Sequence, residues 1–271
     1  MQTLLVSKVI NKKKQWIAEP KDTIVVQLGD IIDGKQRNPE LNENINEDEM
    51  KIVTLLNSLH NKAKKYNGAV YSLLGNHEYM NIQGDMSWVS QKGIDDFSGI
   101  KNRINAFKPE SHISKMFAAK KIAILKIGSI LFCHAGVLPH ITKYSLDEIN
   151  NTMRNYLLGH KLSEKQNNIK EVCFDSNDGI LWTRYYGNEH VPQFQKCSIL
   201  DRVLNNYKCN IMVVGHTPQM SGITPICTNK LWFTDIGMSY SIMNNTVEVL
   251  EILNDGVSLS TNSFKPFRIL K

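Results

Sequence analysis

A single α/β domain is the fold class that this sequence predicts, and two observations support it. Short runs rich in β-branched residues, such as 23–28 and 211–214, end abruptly in a glycine followed by a polar residue, as strands of a buried sheet do. Between them, apolar residues recur every three or four positions, the pattern of helices packed on one face. A chain of 271 residues can bury one substantial core, so we predict one domain over residues 1–271.

The composition is that of an ordinary globular protein. Hydrophobic residues make up 42% and charged residues 21% of the chain, which excludes an intrinsically disordered protein. No apolar run approaches the roughly 20 residues that cross a bilayer. The first ten residues lack the small-residue cleavage pattern of a secretory signal. We therefore expect no membrane partner.

Charge and cysteine content indicate which partners and which cellular compartment to expect. The net charge is +6, and the basic residues are dispersed apart from Lys12-Lys13-Lys14. That cluster predicts a solvated loop, and we expect no nucleic-acid partner. The five cysteines are odd in number and include no Cys-x-x-Cys pair. This pattern favours a reduced, intracellular protein, and we predict a cytoplasmic location.

The secondary structure follows from periodicity and turn residues. Helices are predicted at the N-terminus up to residue 10, over 47–66, from Ser145 and from Ser198, with residues 80–114 irregular to helical. Strands are predicted at residues 23–28, 69–74, 122–127, 130–133, 211–214, 231–234, 247–252 and 257–261, the last two as a closing hairpin. The polar segments 36–48 and 160–178 predict an exposed loop and a mobile stretch.

Four predicted strands end in a small residue beside a side chain that can bind a metal or move a proton. The four stretches are Gly29-Asp30-x-x-Asp33, Gly75-Asn76-His77-Glu78, His134-Ala135-Gly136 and Gly215-His216-Thr217. Each has an ordinary structural explanation, since Gly-Asp is common in turns and a single histidine often only packs. Loops at the carboxyl ends of strands gather at one edge of an α/β sheet, however. Four such coincidences favour one shared site.

The side chains in these stretches indicate a kind of metal. Asp30 offers a carboxylate, Asn76 an amide oxygen, and His134 and His216 offer imidazole nitrogens. That mixture suits Mn²⁺, Fe²⁺ or Zn²⁺ better than Ca²⁺ or a zinc held by thiolates.

The four stretches resemble the motif series of the calcineurin-like metallophosphoesterases, and within them the bacterial-like, Shewanella-like branch of the phosphoprotein phosphatases. The resemblance runs from about Thr23 to Tyr240, with softer matches at 181–184 and 235–239. It implies a two-sheet β-sandwich flanked by helices in four layers. It also implies two divalent ions at one edge, with manganese favoured and iron or zinc as alternatives.

The resemblance also implies roles for individual residues. Asp30 would bridge two metals, and Asn76, His134 and His216 would complete one of the two sites. His77 is similar to the family's catalytic histidine, paired with Asp33. His77, oriented and kept cationic by Asp33, would protonate the leaving group while a metal-activated water attacks phosphorus in line.

Substrate binding is expected to depend on arginine. Arg184 resembles a phosphate-binding arginine of the family, and a guanidinium can hold two phosphate oxygens at once. The family usually has Asp-Arg-Gly where this chain has Asp33-Gly34-Lys35. Arg37 would then have to reach the phosphate, or Lys35 would serve as a less specific charge. Both arginines also have an ordinary alternative as solvated surface residues.

The family's first motif, Asp-x-His, has no match before Asp30. The simplest expectation is that the first strand and its motif are missing from this sequence, so that one metal site is incomplete. The alternative is a natural variant with one metal or no activity.

The function predicted is a metal-dependent phosphomonoester hydrolase, more narrowly a serine/threonine protein phosphatase. Its substrates would be phosphorylated proteins or small phosphoesters. The alternatives are a nucleotide or dinucleoside polyphosphate hydrolase, or a catalytically impaired phosphate-binding pseudophosphatase.

Overall fold

A computed structural model describes residues 1–35, 49–238, 247–253 and 267–271 of the chain. The helices in these residues are α1 Gln2–Val6, α2 Glu49–Ala63, α3 Asn76–Gln83, α4 Gln91–Asp95, α5 Ile100–Phe107, α6 His112–Lys120, α7 Leu146–Leu157, α8 Glu164–Lys170 and α9 Gln193–Tyr207. The strands are β1 Ile24–Gln27, β2 Ala69–Leu73, β3 Lys121–Ile122, β4 Ile124–Ile127, β5 Ile130–Cys133, β6 Ile211–Val214, β7 Thr224–Ile226, β8 Leu231–Phe233, β9 Val249–Ile252 and β10 Phe267–Leu270.

The strands form two principal sheets and one hairpin. The first sheet has the order β1-β2-β3 and is parallel throughout. The second has the order β4-β5-β6-β8-β7. In it, β5, β6 and β8 are parallel, while β4 and β7 run antiparallel to their neighbours. β9 and β10 pair as an antiparallel ribbon.

Alternate residues of the central strands face different layers, which shows that the two sheets pack face to face. In β5, Ile130 and Phe132 join an apolar cluster with Leu73 of β2 and Val26 of β1. Their neighbour Leu131 instead belongs to the larger cluster beneath the helices. Because side chains in a strand alternate between the two faces, the first cluster is the interior of a sandwich.

Helices cover the outer face of each sheet. Leu56 and Leu59 of α2 pack on Val70 of β2, and Met153 of α7 and Val203 of α9 lie in the cluster beneath the second sheet. The order of layers is therefore helix, sheet, sheet, helix. The prediction of an α/β fold with two sheets flanked by helices is confirmed.

Several local predictions hold for reasons visible in the sequence. Ser145 caps α7 and Glu148 completes the capping box, and the strands predicted at 122–127 and 130–133 pair as the antiparallel hairpin of β4 and β5. Asn67 is left-handed with φ of 61° and ends the turn that follows α2. These are signals carried by adjacent residues, so packing elsewhere does not override them.

Other local predictions need correction. The segment 160–178 is largely helical: Ser163 caps α8, and a π-helical turn at Glu171–Asp175 buries Cys173 and Phe174. α9 begins at Gln193, directly after Pro192, five residues before Ser198. β9 pairs with β10, whereas the strand predicted at 257–261 and the loop at 36–48 lie outside the described residues.

The expectation that all the cysteines are reduced is wrong for one pair. Cys197 of α9 forms a disulfide with Cys227, which follows β7, while Cys133, Cys173 and Cys209 are free and buried. Thirty positions separate the two bonded cysteines in the sequence. A pairing over that distance depends on the fold and leaves no local signal. The cytoplasmic location stays a prediction.

Among the described residues, no helix has the length and hydropathy required to span a bilayer.

Candidate metal centre

Four of the predicted site residues meet where the two sheets end. Asp30 follows β1, Asn76 is the first residue of α3 after β2, His134 follows β5 and His216 follows β6. β1 and β2 are parallel, as are β5 and β6, so within each sheet the carboxyl ends of the two strands lie at the same edge. The site therefore takes two residues from each sheet.

The polar atoms of these residues lie within hydrogen-bonding distance of one another. The amide oxygen of Asn76 is 2.9 Å from His134 Nε2 and 2.9 Å from His216 Nδ1. His134 Nε2 is also 3.2 Å from Asp30 Oδ2 and 3.2 Å from His216 Nδ1. Candidate ligand atoms of Asp30, His134 and His216 all fall within 4.8 Å of each other.

The outer hydrogen bonds of the imidazoles indicate what the inner nitrogens can do. His134 Nδ1 lies 2.6 Å from the Leu28 carbonyl, and His216 Nε2 lies 3.1 Å from the Trp182 carbonyl. A carbonyl can only accept, so in the neutral ring each of these nitrogens carries the hydrogen. The other nitrogen of each ring then turns a lone pair toward the oxygens of Asn76 and Asp30. Four acceptor atoms facing one another fit a divalent cation, and a backbone partner on the far nitrogen is the usual support of a metal-binding histidine.

Three side chains of the site stand on left-handed backbone. Asp30 has φ of 56°, Asp33 of 75° and His216 of 63°. Such conformations cost about 1–3 kcal/mol each in residues other than glycine and cluster at functional sites. They aim each side chain back across the end of its strand.

Position 75 has to be glycine, because the loop after β2 passes very close to Asp30 in the loop after β1. A Cβ built on it would lie 2.1 Å from Asp30 Oδ1 and 2.5 Å from the Asp30 backbone nitrogen. Any side chain at this position would therefore displace the Asp30 carboxylate from the centre.

Glu78 supports the same two loops from below. Its carboxylate is fully buried and accepts from the backbone N–H groups of Asp30 at 2.9 Å, Ile31 at 2.8 Å and Gly75 at 2.8 Å. The Lys121 ammonium lies 3.3 Å away and is also buried. Glu78 thus fixes the backbone that carries Asp30 and Asn76.

His77 and Asp33 form a second group beside the first. His77 Nδ1 is 2.9 Å from Asp33 Oδ2, so this nitrogen donates its hydrogen to the carboxylate. His77 Nε2 then faces the metal centre, 4.0 Å from Asp30 Oδ2. The ring also meets Trp88 edge-on, with centroids 6.4 Å apart. A proton on Nε2 would therefore point into the space next to the ligands.

The two predicted arginines have different outcomes. Arg184 is exposed, and its positive charge contributes to lowering the pKa of His216, so it lies close to the centre. Arg37 lies outside the described residues. Lys35 is exposed and its ammonium donates to the Ser87 carbonyl at 3.0 Å.

The charges in the centre are strongly coupled. Burial alone would raise the pKa of Asp30, but His134 and His77 outweigh it and hold that pKa well below its ordinary value. Burial would likewise lower the pKa of His134, yet the Asp30 carboxylate raises it overall. Burial, together with His134 and Arg184, lowers the pKa of His216 to about 3. These opposite shifts favour an ionised Asp30 carboxylate beside a protonated His134.

Several residues around the site carry no motif signal of their own. Arg103, Asn81 and Glu49 surround Asp33. Burial raises the pKa of Asp235, with a further contribution from the nearby Asp30. In the sequence, Asp235 lies in the weaker family match at 235–239 and Glu49 lies in a predicted helix, but neither observation assigns a role to the side chain.

Comparison with known proteins identifies the family. The model of the calcineurin-like phosphoesterases matches residues 5–220. The chain therefore belongs to the calcineurin-like phosphoesterase family, and the resemblance seen in its motifs is confirmed.

Relatives refine this assignment. An uncharacterised protein of Acanthamoeba polyphaga mimivirus is 37% identical over 73% of this chain and 93% of its own length. Shewanella-like protein phosphatase 2 of Arabidopsis thaliana is 28% identical over 94% of this chain and 72% of its own. Shewanella-like protein phosphatase 1 of Plasmodium berghei is 30% identical over 86% and 61%. With the family model, these relatives identify the chain as a phosphatase of the calcineurin-like family.

A solved structure agrees with the fold. The cold-active protein tyrosine phosphatase of a psychrophilic Shewanella species superimposes with a TM-score of 0.73 at 24% identity, over 92% of this chain and 69% of that one. At this identity the likeness concerns the fold alone.

Proposed function

We propose that this chain is a metal-dependent phosphomonoester hydrolase acting on phosphorylated protein side chains, with serine and threonine phosphates as the favoured substrates. The observation that carries the proposal is the convergence of four acceptor atoms, from Asp30, Asn76, His134 and His216, beside a histidine whose Nε2 faces them. The phosphatase names of its relatives support a phosphoprotein substrate.

Each side chain has a separate role in this proposal. Asp30, Asn76, His134 and His216 hold a divalent cation, with manganese favoured and iron or zinc as alternatives. Such a cation, when bound, polarises phosphate oxygens and lowers the pKa of a water molecule so that it can attack phosphorus. His77 gives the proton on its Nε2 to the leaving oxygen. Asp33 holds the His77 ring in the orientation that allows this transfer. Arg184 binds phosphate oxygens, and Arg37 adds to this if its side chain reaches the phosphate.

Among the residues that the structure describes, one group of at least three histidine, cysteine or acidic side chains is compact enough to hold a metal ion. Its members are Asp30, His134 and His216. This group suits one cation. A second cation bridged by Asp30 would need further ligands, and the two-metal centre implied by the family stays part of the proposal.

Metal analysis and kinetics on paired variants test the proposal. After loading with Mn²⁺ and removal of free metal, His134→Ala and His216→Ala should lose the bound cation, while the exposed His140 changed to alanine should retain it. His77→Asn should keep the cation but lose about 10²–10⁴-fold in kcat, the usual contribution of a general acid. Hydrolysis is measured with p-nitrophenyl phosphate and with phosphoserine and phosphotyrosine peptides.

The outcomes separate the alternatives. Faster cleavage of diadenosine tetraphosphate than of any phosphopeptide would replace the proposed substrate class by nucleotide anhydrides. A bound cation with no hydrolysis of any ester would support the pseudophosphatase. Retention of the cation by His134→Ala would contradict the proposed ligand set.

A further inference from the structure

Asp33 is held by more groups than its partnership with His77 requires. Its Oδ2 accepts from His77 Nδ1 at 2.9 Å and from the Asn81 amide at 2.9 Å. Its Oδ1 accepts from the same amide at 2.8 Å and from Arg103 Nη2 at 3.3 Å. Its backbone N–H donates to Glu49 Oε1 at 2.7 Å. The carboxylate is therefore restrained from several directions, and its side chain is fully buried.

Arg103 connects these partners to one another. Its guanidinium is also fully buried, and Nη1 lies 2.9 Å from Glu49 Oε2. Nε donates to the Asn81 side-chain oxygen at 2.8 Å, and Nη1 donates to the Gly93 carbonyl at 2.8 Å. One rigid planar group thus fixes Asn81, Glu49 and Asp33 together.

Burial of the Arg103 guanidinium is costly, because it removes a charge from water. The guanidinium lies over two aromatic rings, 5.3 Å from the centroid of Phe97 and 4.9 Å from that of Phe107. A buried ion pair often stabilises a fold no more than apolar side chains of similar volume would. An arginine kept in an aromatic pocket with its donors directed at the partners of Asp33 therefore suggests a role in orientation as well as in packing.

We infer that Arg103 is a positioning residue for the reaction. Together with Asn81 and Glu49 it locks the Asp33 carboxylate, and through it the His77 ring, so that Nε2 faces the metal centre. The inference rests on the proposed role of His77 as general acid. Arg103 itself contacts no candidate metal ligand in the hydrogen bonds above. Its effect therefore passes through Asp33.

The first test measures the His77 ring directly and needs no activity. In the intact chain labelled with ¹⁵N-histidine, at one alkaline pH, the His77 signals are assigned by comparison with His77→Asn. We expect a single tautomer with the hydrogen on Nδ1 in the wild type, and a mixture of tautomers in Arg103→Met. Tyr79→Phe is the matched control, because it removes a partly buried hydrogen bond to Asp175 from α3, the helix that carries His77. It should keep the single tautomer.

The second test uses leaving groups of different acidity. A general acid matters most when the leaving oxygen is strongly basic, so misorientation of His77 should harm phenyl phosphate more than p-nitrophenyl phosphate. For Arg103→Met we expect kcat on phenyl phosphate to fall about 10-fold to 100-fold, a fraction of the general-acid contribution. The fall on p-nitrophenyl phosphate should be several-fold smaller, KM should change little, and the double variant with His77→Asn should be no slower than His77→Asn alone.

Two results would overturn the inference. One is a single Nδ1–H tautomer in Arg103→Met. The other is an equal loss on both substrates that adds to the loss from His77→Asn, which would make Arg103 purely structural. If Arg103→Met does not fold, Arg103→Lys serves in both tests, since an ammonium cannot span the same partners. If even the wild type hydrolyses neither substrate, the proposed function fails, while the tautomer measurement still decides whether Arg103 orients His77.

Discussion

Replacing Glu78 by glutamine should loosen both loops that carry the centre. The change keeps the volume of the side chain but turns one carboxylate oxygen into an NH₂ group, which can only donate. If the remaining oxygen takes the position of Oε2, the N–H groups of Asp30 and Gly75 keep their acceptor, while Ile31 and Lys121 face a donor. In the opposite orientation, Ile31 and Lys121 keep their acceptor, while the N–H groups of Asp30 and Gly75 face the NH₂ group. Either way, two of the four donors lose their acceptor on this side chain, although Lys121 keeps the Leu73 carbonyl at 3.1 Å.

The magnitude follows from what is left unpaired. Hydrogen bonds to a charged group contribute about 1.5–3 kcal/mol, and a buried donor without a partner costs about 1–3 kcal/mol. Breaking one side of a buried ion pair typically costs about 3–5 kcal/mol. Since Glu78 and Lys121 are both buried, we expect Glu78→Gln to lower the free energy of unfolding by roughly 3–5 kcal/mol. That is a large part of the roughly 5–15 kcal/mol available to a domain.

A double-mutant cycle in urea measures this directly. Lys121→Met removes the ammonium that has lost its counter-charge, so adding it to Glu78→Gln should restore about 1–3 kcal/mol. Glu148→Gln is the control, because it makes the same chemical change in an exposed capping box, where glutamine also serves. A loss below about 1 kcal/mol in Glu78→Gln, or strict additivity with Lys121→Met, would refute the role given to this carboxylate.

Three further outcomes are expected. Gly75→Ala should abolish cation binding measured by calorimetry, because its Cβ would collide with Asp30, whereas Gly99→Ala, which has open space but φ of +120°, should cost stability and leave binding intact. Cation affinity should fall as the pH drops from above 6.5, because the raised pKa of His134 lets a proton compete with the cation for that ring. The thermal stability of the cation-free protein should instead fall as the pH rises through the pKa of His134, because the ion pair with Asp30 is then lost. A cation affinity independent of pH would contradict this prediction. Reduction of the disulfide of α9, which closes a loop over 30 positions, should lower the free energy of unfolding by roughly 3–4 kcal/mol, and an unfolding curve that dithiothreitol leaves unchanged would contradict it.

The parts of the site that the sequence predicts are those whose signals are local. Each of the four residues follows a short, mostly apolar run and sits beside a glycine or another small residue, as seen at Asp30, Asn76, His134 and His216. The tendency of strand ends to meet at one edge was then enough to bring them together. The two-sheet sandwich was implied by the family resemblance, because β5 and β6 are fully apolar and their sequences do not show which face meets which layer.

The parts that could not be predicted depend on contacts between distant segments. Seventy positions separate Arg103 from Asp33, and nothing in the neighbourhood of Arg103 distinguishes it from a solvated arginine on a helix. The segment 160–178 looked unstructured because it is polar, yet it is held by Ser163 at a helix start and by the burial of Phe174. The polar composition of segment 160–178 indicates only that much of it is exposed to water, whereas its helical conformation depends on the cap at Ser163 and on the packing of Phe174.

The metal centre draws Asp30 and Asn76 from the three-stranded sheet and His134 and His216 from the five-stranded one. Apolar side chains such as Leu73 and Phe132 also pack between the two sheets. A bound cation would act as a cross-link between them. At a free concentration one hundred times its dissociation constant it would add about 2.7 kcal/mol to the stability of the fold. A chelator would then weaken the whole sandwich, because an ion held by these four residues would join the two sheets.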